Sequence, residues 1–99
     1  MADLLVLEFE TQDAEDLYWK VNGILGVDAK NGTGDWPPPL LSHVAGVSDG
    51  RLVVVEVWES QAAQHQFMES QLAPAFAEAN VPQPTRVQWF SHLGAMHRH

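Results

Sequence analysis

The run from Arg51 to Ser60, Arg-Leu-Val-Val-Val-Glu-Val-Trp-Glu-Ser, constrains the fold more than any other part of the sequence. Leu52 to Val57 places five apolar residues in six positions and Trp58 follows directly, which is typical of a strand buried on at least one face. Ser60 is a favourable N-cap for a helix that begins immediately afterwards. We therefore predict a buried strand that leads directly into a helix, with Trp58 at the mouth of the junction, where small pockets often form.

The residues at the start of the chain predict a strand and a helix. Leu4 to Glu10 alternates as a half-buried strand does, with one side formed by Leu5, Leu7 and Phe9. A helix capped by Thr11 or Asp13 should continue to about Leu25, where Gly26 suits its C-terminal end. We predict that its apolar side contains Leu17, Val21 and Ile24.

The middle of the chain predicts a loop and then a hairpin. Asp28 to Pro39 contains two glycines and three successive prolines, so we expect a loop without regular structure that carries Trp36. Leu40 to Val47 is predicted as the second strand. It is followed by Asp49-Gly50, and Asp-Gly between two apolar runs is a strong hairpin signal.

The last third of the chain predicts a second helix and a final strand. Ser60 to Asn80 has apolar residues at helical spacing, namely Met68, Leu72, Ala75, Phe76 and Ala79. Pro74 must either kink this helix or begin a second short one in its own first turn. Arg86 to Ser91 is predicted as the last strand, with Val87 and Trp89 on one face.

The predicted order is β-α-β-β-α-β, which favours a ferredoxin-like α+β sandwich with a four-stranded antiparallel sheet and two helices on one face. We assign residues 1–92 to a single domain and residues 93–99 to a C-terminal tail. The first and third strands are apolar on both sides. A second copy of the chain is therefore expected to cover the free sheet face in a homodimer.

The charge balance excludes several classes of partner. A formal net charge of -8 with only five Lys or Arg argues against binding to nucleic acid and to anionic membrane surfaces. The N-terminus lacks the basic region of a signal peptide, and no apolar run is long enough to span a bilayer. The chain contains no cysteine. We expect a cytoplasmic protein.

Several stretches of the chain resemble the dimeric α+β barrel superfamily, and within it the antibiotic-biosynthesis-monooxygenase-like domain and its small bacterial relatives. The stretches are Leu-Leu-Ser-His-Val-Ala-Gly (40–46), Val-Val-Glu-Val-Trp-Glu-Ser (54–60), Gln-Leu-Ala-Pro-Ala-Phe (71–76), Ala-Asn-Val-Pro-Gln-Pro (79–84) and Phe-Ser-His (90–92). The resemblance covers nearly the whole chain and implies the dimeric barrel fold. It implies no single activity, because the superfamily includes cofactor-free oxygenases, polyketide cyclases, haem-degrading enzymes and isomerases.

The resemblance also disfavours haem degradation. Haem-degrading relatives look as if they need an Asn on the first strand and a Trp and a His on the second helix. The first strand here has no Asn, and Phe67 and Ala77 stand where the Trp and the His would fall. Many oxygenase-like relatives look as if they carry a His near position 67, whereas this chain has His65, on a different face of the helix.

Three histidines are candidate acid-base residues. His43 lies in the interior of a predicted strand and matches the family stretch His-Val-Ala-Gly, and an imidazole can exchange a proton near neutral pH. The alternative is a half-buried His with a purely structural partner. His65 is predicted on the apolar stripe of the second helix, and His92 at the rim of a pocket, at the end of the last strand.

The pocket itself is predicted between the second helix and the second and third strands. Its proposed substrate-binding residues are Trp36, Trp58, Gln64, Phe67, Met68, Leu72 and Phe76. Glu56 shares a strand face with Trp58, and a carboxylate among valines needs a partner. We expect that partner to be Arg51, Arg86 or a group of a second chain, with Glu56 facing the dimer.

We predict neither a metal site nor a bound cofactor. His92, His97 and His99 resemble a metal site only by their number, because they lie in a terminal tail without supporting residues. The chain also lacks the glycine-rich loops and the nucleophile elbow that bind cofactors or carry a catalytic serine.

Three functional hypotheses follow from these residues. The first is a cofactor-independent monooxygenase-like or cyclase-like enzyme acting on an aromatic or polyketide-like compound. The second is a non-catalytic binder of a small ligand, and the third is a structural dimer module. A closed apolar pocket with an unpaired imidazole would favour the first, whereas a pocket filled by side chains would favour the third.

Overall fold

The computed structural model describes residues 2–96, which form an α+β sandwich built on one antiparallel sheet. The strands are β1 (Asp3–Glu10), β2 (Val27–Asp28), β3 (Thr33–Gly34), β4 (Leu40–Ser48), β5 (Arg51–Trp58) and β6 (Arg86–Ser91). Strands β2 and β3 form a separate two-stranded sheet. The helices are α1 (Ala14–Leu25), α2 (Gln61–Phe67) and α3 (Ala73–Ala79), with a π-helical segment at Met68–Leu72. The main sheet has the order β4-β5-β1-β6, in which every pair of neighbours is antiparallel. This confirms the predicted ferredoxin-like fold.

The β4–β5 hairpin sets the register of the sheet. Asp49 and Gly50 have φ angles of 43° and 76°, as a two-residue type I′ turn requires. Counting outward from this turn, the pairing brings His43 opposite Glu56. A β-bulge near Leu41 breaks the alternation, and Leu41 is 55% exposed. Leu41 therefore does not share a face with His43, although strict alternation along the strand would place it there.

The core lies between the sheet and the helices. The predicted alternation of β1 is confirmed, because its buried residues are Leu5, Leu7 and Phe9. On β5 the side chains that share this core are Leu52, Val54 and Trp58. Tyr18, Phe67 and Phe76 pack on them from the helical side. Each large apolar side chain buried here contributes about 1.5–3 kcal/mol.

The opposite face of the sheet is also apolar but remains accessible. Pairing across the strands places the following residues on it: Leu4, Val6, Val44, Val53, Val55, Val57 and Phe90. Val44 and Phe90 are 63% and 40% exposed. One side of the sheet thus forms the core and the other presents a second apolar surface.

The segment after β5 is helical but changes its hydrogen-bond pattern. The predicted cap is confirmed, because the Ser60 hydroxyl accepts the Ala63 N–H at 3.1 Å. Pro74, which has no N–H, lies in the first turn of α3, as one of the two alternatives required. The turns just before it are π-helical, with the Ala73 N–H bonded to the Met68 carbonyl. Within residues 2–96 no helix is long and apolar enough to cross a membrane.

The predicted loop contains a small hairpin, so the expectation of no regular structure is wrong. Val27 pairs with Gly34 and Asp28 with Thr33. The Asp28 carboxylate holds the turn by accepting the backbone N–H groups of residues 30 and 31, at 3.0 and 3.2 Å. The buried Asn22 side chain joins this hairpin to α1 by accepting the Ala29 N–H at 3.0 Å. Sequence patterns miss such local side-chain bonds.

The end of α1 also differs from the prediction in one detail. Gly26 ends the helix in the left-handed conformation, with φ of 76°, as predicted. Ile24, which we placed on the apolar side, is exposed, whereas Val21 is buried. Asn22 is buried, and its side-chain oxygen accepts the Ala29 N–H of the hairpin.

We predict that Gly34→Ala destabilises the protein by about 1–3 kcal/mol in urea unfolding. Gly34 has φ of 101°, and an added Cβ would lie 2.5 Å from the Gly26 carbonyl oxygen. Gly23→Ala is the matched control, since a Cβ there meets nothing within 4 Å and the helix should gain about 0.5–1 kcal/mol. Equal effects of the two substitutions would contradict the close approach of the small hairpin to α1.

Candidate functional site

Four side chains form a continuous hydrogen-bonded chain on the helical side of the sheet. The Tyr18 hydroxyl lies 2.6 Å from His43 Nε2, and His43 Nδ1 lies 2.7 Å from Glu56 Oε2. Trp58 Nε1 donates to Glu56 Oε1 at 3.0 Å. The His43 and Glu56 side chains are only 15% and 12% exposed. The chain therefore runs Tyr18–His43–Glu56–Trp58 in a largely dry environment.

Secondary structure places each member of this chain. His43 and Glu56 are cross-strand partners of β4 and β5, and Trp58 is two residues further along β5, on the same face. Tyr18 comes from α1, which packs over this part of the sheet. The parallel stacking of the Tyr18 and His43 rings, with centroids 5.9 Å apart, adds to their contact.

The donors and acceptors fix the protons of this chain. An indole N–H can only donate, so Glu56 Oε1 must accept from Trp58. The other carboxylate oxygen then accepts from His43 Nδ1–H, and this assigns the neutral imidazole to the Nδ1–H tautomer. Nε2 is left as an acceptor, and the Tyr18 hydroxyl donates to it. Every polar group of these four side chains is thus hydrogen-bonded.

The phenol is held in its neutral form. Burial raises the pKa of Tyr18, and the negative charge of Glu56 raises it further, while the Asn22 amide acts in the opposite direction. Because the Tyr18 pKa is higher in the folded protein than its ordinary value of 10.0, this shift contributes to folding stability below pH 10.0. That contribution is lost as the pH rises through the raised pKa of the folded state. Tyr18 is therefore a hydrogen-bond donor near neutral pH.

A partly enclosed apolar cavity of about 80 Å³ borders these four side chains. Its wall includes Tyr18, His43 and Glu56, and a water molecule needs only about 10–15 Å³ of such space. Aromatic side chains also line it, namely Trp36, Phe67 and Phe76. The Trp36 ring lies 4.9 Å from the imidazole. The cavity thus brings an acid-base group to an apolar, partly enclosed space.

A larger, open groove of about 710 Å³ lies on the other side of Phe76. It is formed by β1 and β6 below and by the α2–α3 region above. Gln64, His65, Met68 and Trp89 are among the residues that line it. The Gln64 side chain is 4% exposed and makes no hydrogen bond within residues 2–96. Its amide is thus available to a bound molecule.

The residues that we proposed from the sequence separate into these two spaces. The enclosed cavity receives His43, Trp36, Phe67, Leu72 and Phe76. The groove receives Gln64, His65, Met68 and also Phe76. Trp58 lines neither space, because it is buried under Phe67 and bonded to Glu56. The expectation that one pocket joins Trp58, Met68 and His43 is therefore wrong.

Two placements on the second helix and the last strand also differ from the prediction. His65 is exposed, and the buried residue of this turn is its neighbour Gln64, so the predicted apolar stripe is off by one position. His92 is half-buried and lines neither space; its backbone N–H bonds to the Ala2 carbonyl at 3.2 Å. His43 alone of the three candidates is joined to other polar side chains near a cavity.

The partners of Glu56 and His43 also differ from the prediction. Glu56 faces the helices and bonds to His43 and Trp58, whereas Arg51 and Arg86 lie near Glu8 on the other face. The reason is register, because residues of even number on β5 point to the core. The imidazole was expected to be unpaired in an enzyme, but both of its nitrogens are bonded.

Sequence reasoning missed Tyr18, which is not among the site residues predicted above. The His43–Glu56 pair had a usable signal, since counting outward from a two-residue Asp-Gly turn makes them partners. No comparable signal joins Tyr18 to them, because the contact depends on how α1 crosses the sheet.

No metal centre forms among residues 2–96, where no three or more His, Cys, Asp or Glu side chains come close enough to hold an ion. His97 and His99, the other members of the histidine group considered from the sequence, lie outside the described residues.

Comparisons with known proteins identify the fold. No family model matches the chain, and no curated protein shows significant sequence similarity to it. A candidate antibiotic biosynthesis monooxygenase from Chloroflexus aurantiacus J-10-fl superposes with a TM-score of 0.71 at 13% identity, covering 98% of both chains. Rv0793 from Mycobacterium tuberculosis superposes with a TM-score of 0.67 at 16% identity, over 98% of this chain and 100% of that one.

A third neighbour was solved with a ligand. It is a monooxygenase from the gene ActVA-Orf6 of Streptomyces coelicolor in complex with Nanaomycin D. It superposes with a TM-score of 0.60 at 20% identity, over 99% of this chain and 93% of that one. The resemblance drawn from the sequence is thus confirmed at the level of the fold, and the chain has the antibiotic-biosynthesis-monooxygenase-like fold.

Proposed function

We propose that the protein is a small cofactor-independent enzyme of the monooxygenase or cyclase kind, which acts on an aromatic or polyketide-like compound through proton transfer at His43. The observation that carries the proposal is the Tyr18–His43–Glu56–Trp58 chain at the wall of a partly enclosed apolar cavity. The ligand of the Streptomyces coelicolor neighbour supports the choice of compound class.

The chemistry needs only proton transfer and a dry site. Removing a proton from a substrate that delocalises the resulting charge gives a carbanion, which either closes a ring or reacts with molecular oxygen. In the second case one oxygen atom enters the product and the other leaves in water. Positioned acid-base groups and exclusion of water suffice for the first step. Glu56 stabilises the imidazolium that forms, and the nearby Trp36 ring does so through a cation–π contact.

The two spaces would divide the ligand between them. The enclosed cavity has room for the reacting end of a ring compound, and the groove for a larger body. Four residues line both spaces, namely Leu7, Phe9, Phe76 and Val81. Phe76 packs edge-on against Phe9, with ring centroids 5.7 Å apart, and thus separates the spaces.

A non-catalytic binder is the second candidate. It is favoured by one observation, the pairing of both His43 nitrogens, since a fully bonded imidazole is also what a structural histidine shows. The two candidates differ in turnover and not in binding.

We further propose a homodimer in which two copies cover each other's outer sheet face. This face carries apolar side chains along β1, β4, β5 and β6, and such surfaces on soluble proteins commonly mark an interface. Burying it would also protect the sheet from water on both sides.

We expect Val55→Lys to convert the dimer into a monomer, because Val55 lies at the centre of the outer face, between Val6 and Val44. Sedimentation velocity at micromolar concentration measures the change. Gln66→Lys, which adds the same charge at an exposed position on α2, should leave the dimer intact. A parent protein that sediments as a monomer would refute the dimer.

His43→Gln should keep the fold but reduce turnover about 100-fold or more, the contribution typical of a general base. Glutamine can donate to Glu56 and accept from Tyr18, but it cannot carry a proton. His43→Ala leaves the Tyr18 hydroxyl and the Glu56 carboxylate without their His43 partner. The free energy of unfolding should fall by about 1–3 kcal/mol for each group left unpaired. Oxygen uptake and product formation with Nanaomycin D and a panel of naphthols and hydroquinones measure turnover, and calorimetry measures binding.

The His43→Gln result separates the two candidate functions. Parent-level turnover in this variant would make His43 structural. Binding of the panel by the parent without any turnover would favour the non-catalytic binder. Absence of both binding and turnover across the panel would contradict the small-molecule proposal.

Phe76→Leu should open the wall between the two spaces and raise the affinity for naphthols relative to phenols, at a stability cost of about 1–2 kcal/mol. Leu72→Val is the control, since Leu72 lines only the enclosed cavity. Isothermal calorimetry with both ligand sizes measures the preference. The same change in both variants would show that Phe76 does not separate the spaces.

A further inference from the structure

Both ring nitrogens of His43 are already hydrogen-bonded to other side chains. Nδ1 is bonded to Glu56 at 2.7 Å and Nε2 to the Tyr18 hydroxyl at 2.6 Å. A ligand therefore cannot bond to the imidazole unless Tyr18 is displaced. The phenol oxygen, by contrast, donates one bond and keeps lone pairs that can accept another.

We propose that Tyr18 is the catalytic residue that exchanges a proton with the ligand, and that His43 and Glu56 act behind it as a proton relay. This inference rests on the proposed function and assigns its first step. The ligand's acidic X–H bond breaks as its proton passes to the Tyr18 oxygen. The O–H bond of Tyr18 breaks at the same time, and that proton passes to His43 Nε2.

The products of this step are balanced in atoms and charge. Tyr18 ends as a neutral phenol, the ligand as an anion and His43 as an imidazolium paired with Glu56. No electron is transferred. The phenolate never has to exist as an intermediate, which agrees with a site where burial and the charge of Glu56 both oppose it.

The same geometry selects the ligand class. Glu56 places a negative charge at the cavity wall, and no Lys or Arg lies among the residues of the described chain that line this space. The formal net charge of -8 adds to the repulsion of anions. The cavity therefore favours a neutral, flat, weakly acidic ring compound, a phenol or an enol, over a carboxylate or phosphate.

Glu56 is a positioning residue in this scheme, because its carboxylate keeps the imidazole in the Nδ1–H form. Glu56→Gln should reverse the tautomer. The Trp58 N–H needs an acceptor, so the amide oxygen would face the indole and the amide NH₂ would face Nδ1. His43 would then carry its proton on Nε2, which could no longer accept a proton from Tyr18.

Nitrogen NMR of the ligand-free protein tests this arrangement, with the His43 signals identified from their loss in His43→Gln. We expect the Nδ1–H tautomer in the parent and the Nε2–H tautomer in Glu56→Gln. An Nε2–H tautomer in the parent overturns the relay, whatever the ligand is. An unchanged tautomer in a folded Glu56→Gln variant overturns the role of Glu56.

Binding of phenol and benzene tests the contact with Tyr18. In the parent, phenol should bind about tenfold more tightly than benzene, the gain of one hydrogen bond in a dry site. Tyr18→Phe should remove this preference and leave benzene binding unchanged. Trp19→Phe is the matched control, because Trp19 packs edge-on against Tyr18 at 5.1 Å outside the hydrogen-bonded chain.

The outcomes separate the inference from the proposed function. If Tyr18→Phe keeps the preference for phenol and His43→Gln still abolishes turnover, the inference fails and the proposed function stands. If the parent binds neither phenol nor benzene, the cavity is not a ligand site and both fail. Loss of the preference in Tyr18→Phe but not in Trp19→Phe supports the relay.

Discussion

The burial of the Glu56 carboxylate is the constraint on which the rest of the site depends. A carboxylate on the core side of a sheet costs several kcal/mol unless each oxygen is hydrogen-bonded. Here one oxygen accepts from Trp58 and the other from His43. These two bonds determine the tautomer of His43, which in turn makes Nε2 the acceptor of Tyr18. One charged group thus orients three aromatic or heteroaromatic side chains.

This arrangement explains why the site is both stable and suited to proton transfer. Donors and acceptors match among Tyr18, His43, Glu56 and Trp58, so these four side chains are held in place without an unpaired buried polar atom of their own. The same groups can shift protons by one bond length each, because a neutral imidazole lies between an acid and a carboxylate. The apolar cavity next to them gives a ligand access to the phenol.

Much of the fold was predictable because it depends on local patterns. The alternation of β1, the Ser60 cap, the Asp49-Gly50 turn and the position of Pro74 in a first helical turn all follow from sequence spacing. The β2–β3 hairpin was missed because Asp28 and Asn22 hold it through side-chain bonds that no periodicity reveals. The placement of His65 was wrong by one residue, and on a helix one residue is a rotation of about 100°.

The sequence by itself determined the order of the elements, the hairpin register and therefore the pairing of His43 with Glu56, since each depends on short-range geometry. Only the tertiary structure decided that Tyr18 completes the hydrogen-bonded chain and that Phe76 separates a cavity from a groove. The physical reason is that the latter contacts join residues distant in sequence. Their distances depend on how the helices cross the sheet, and side-chain packing fixes that crossing.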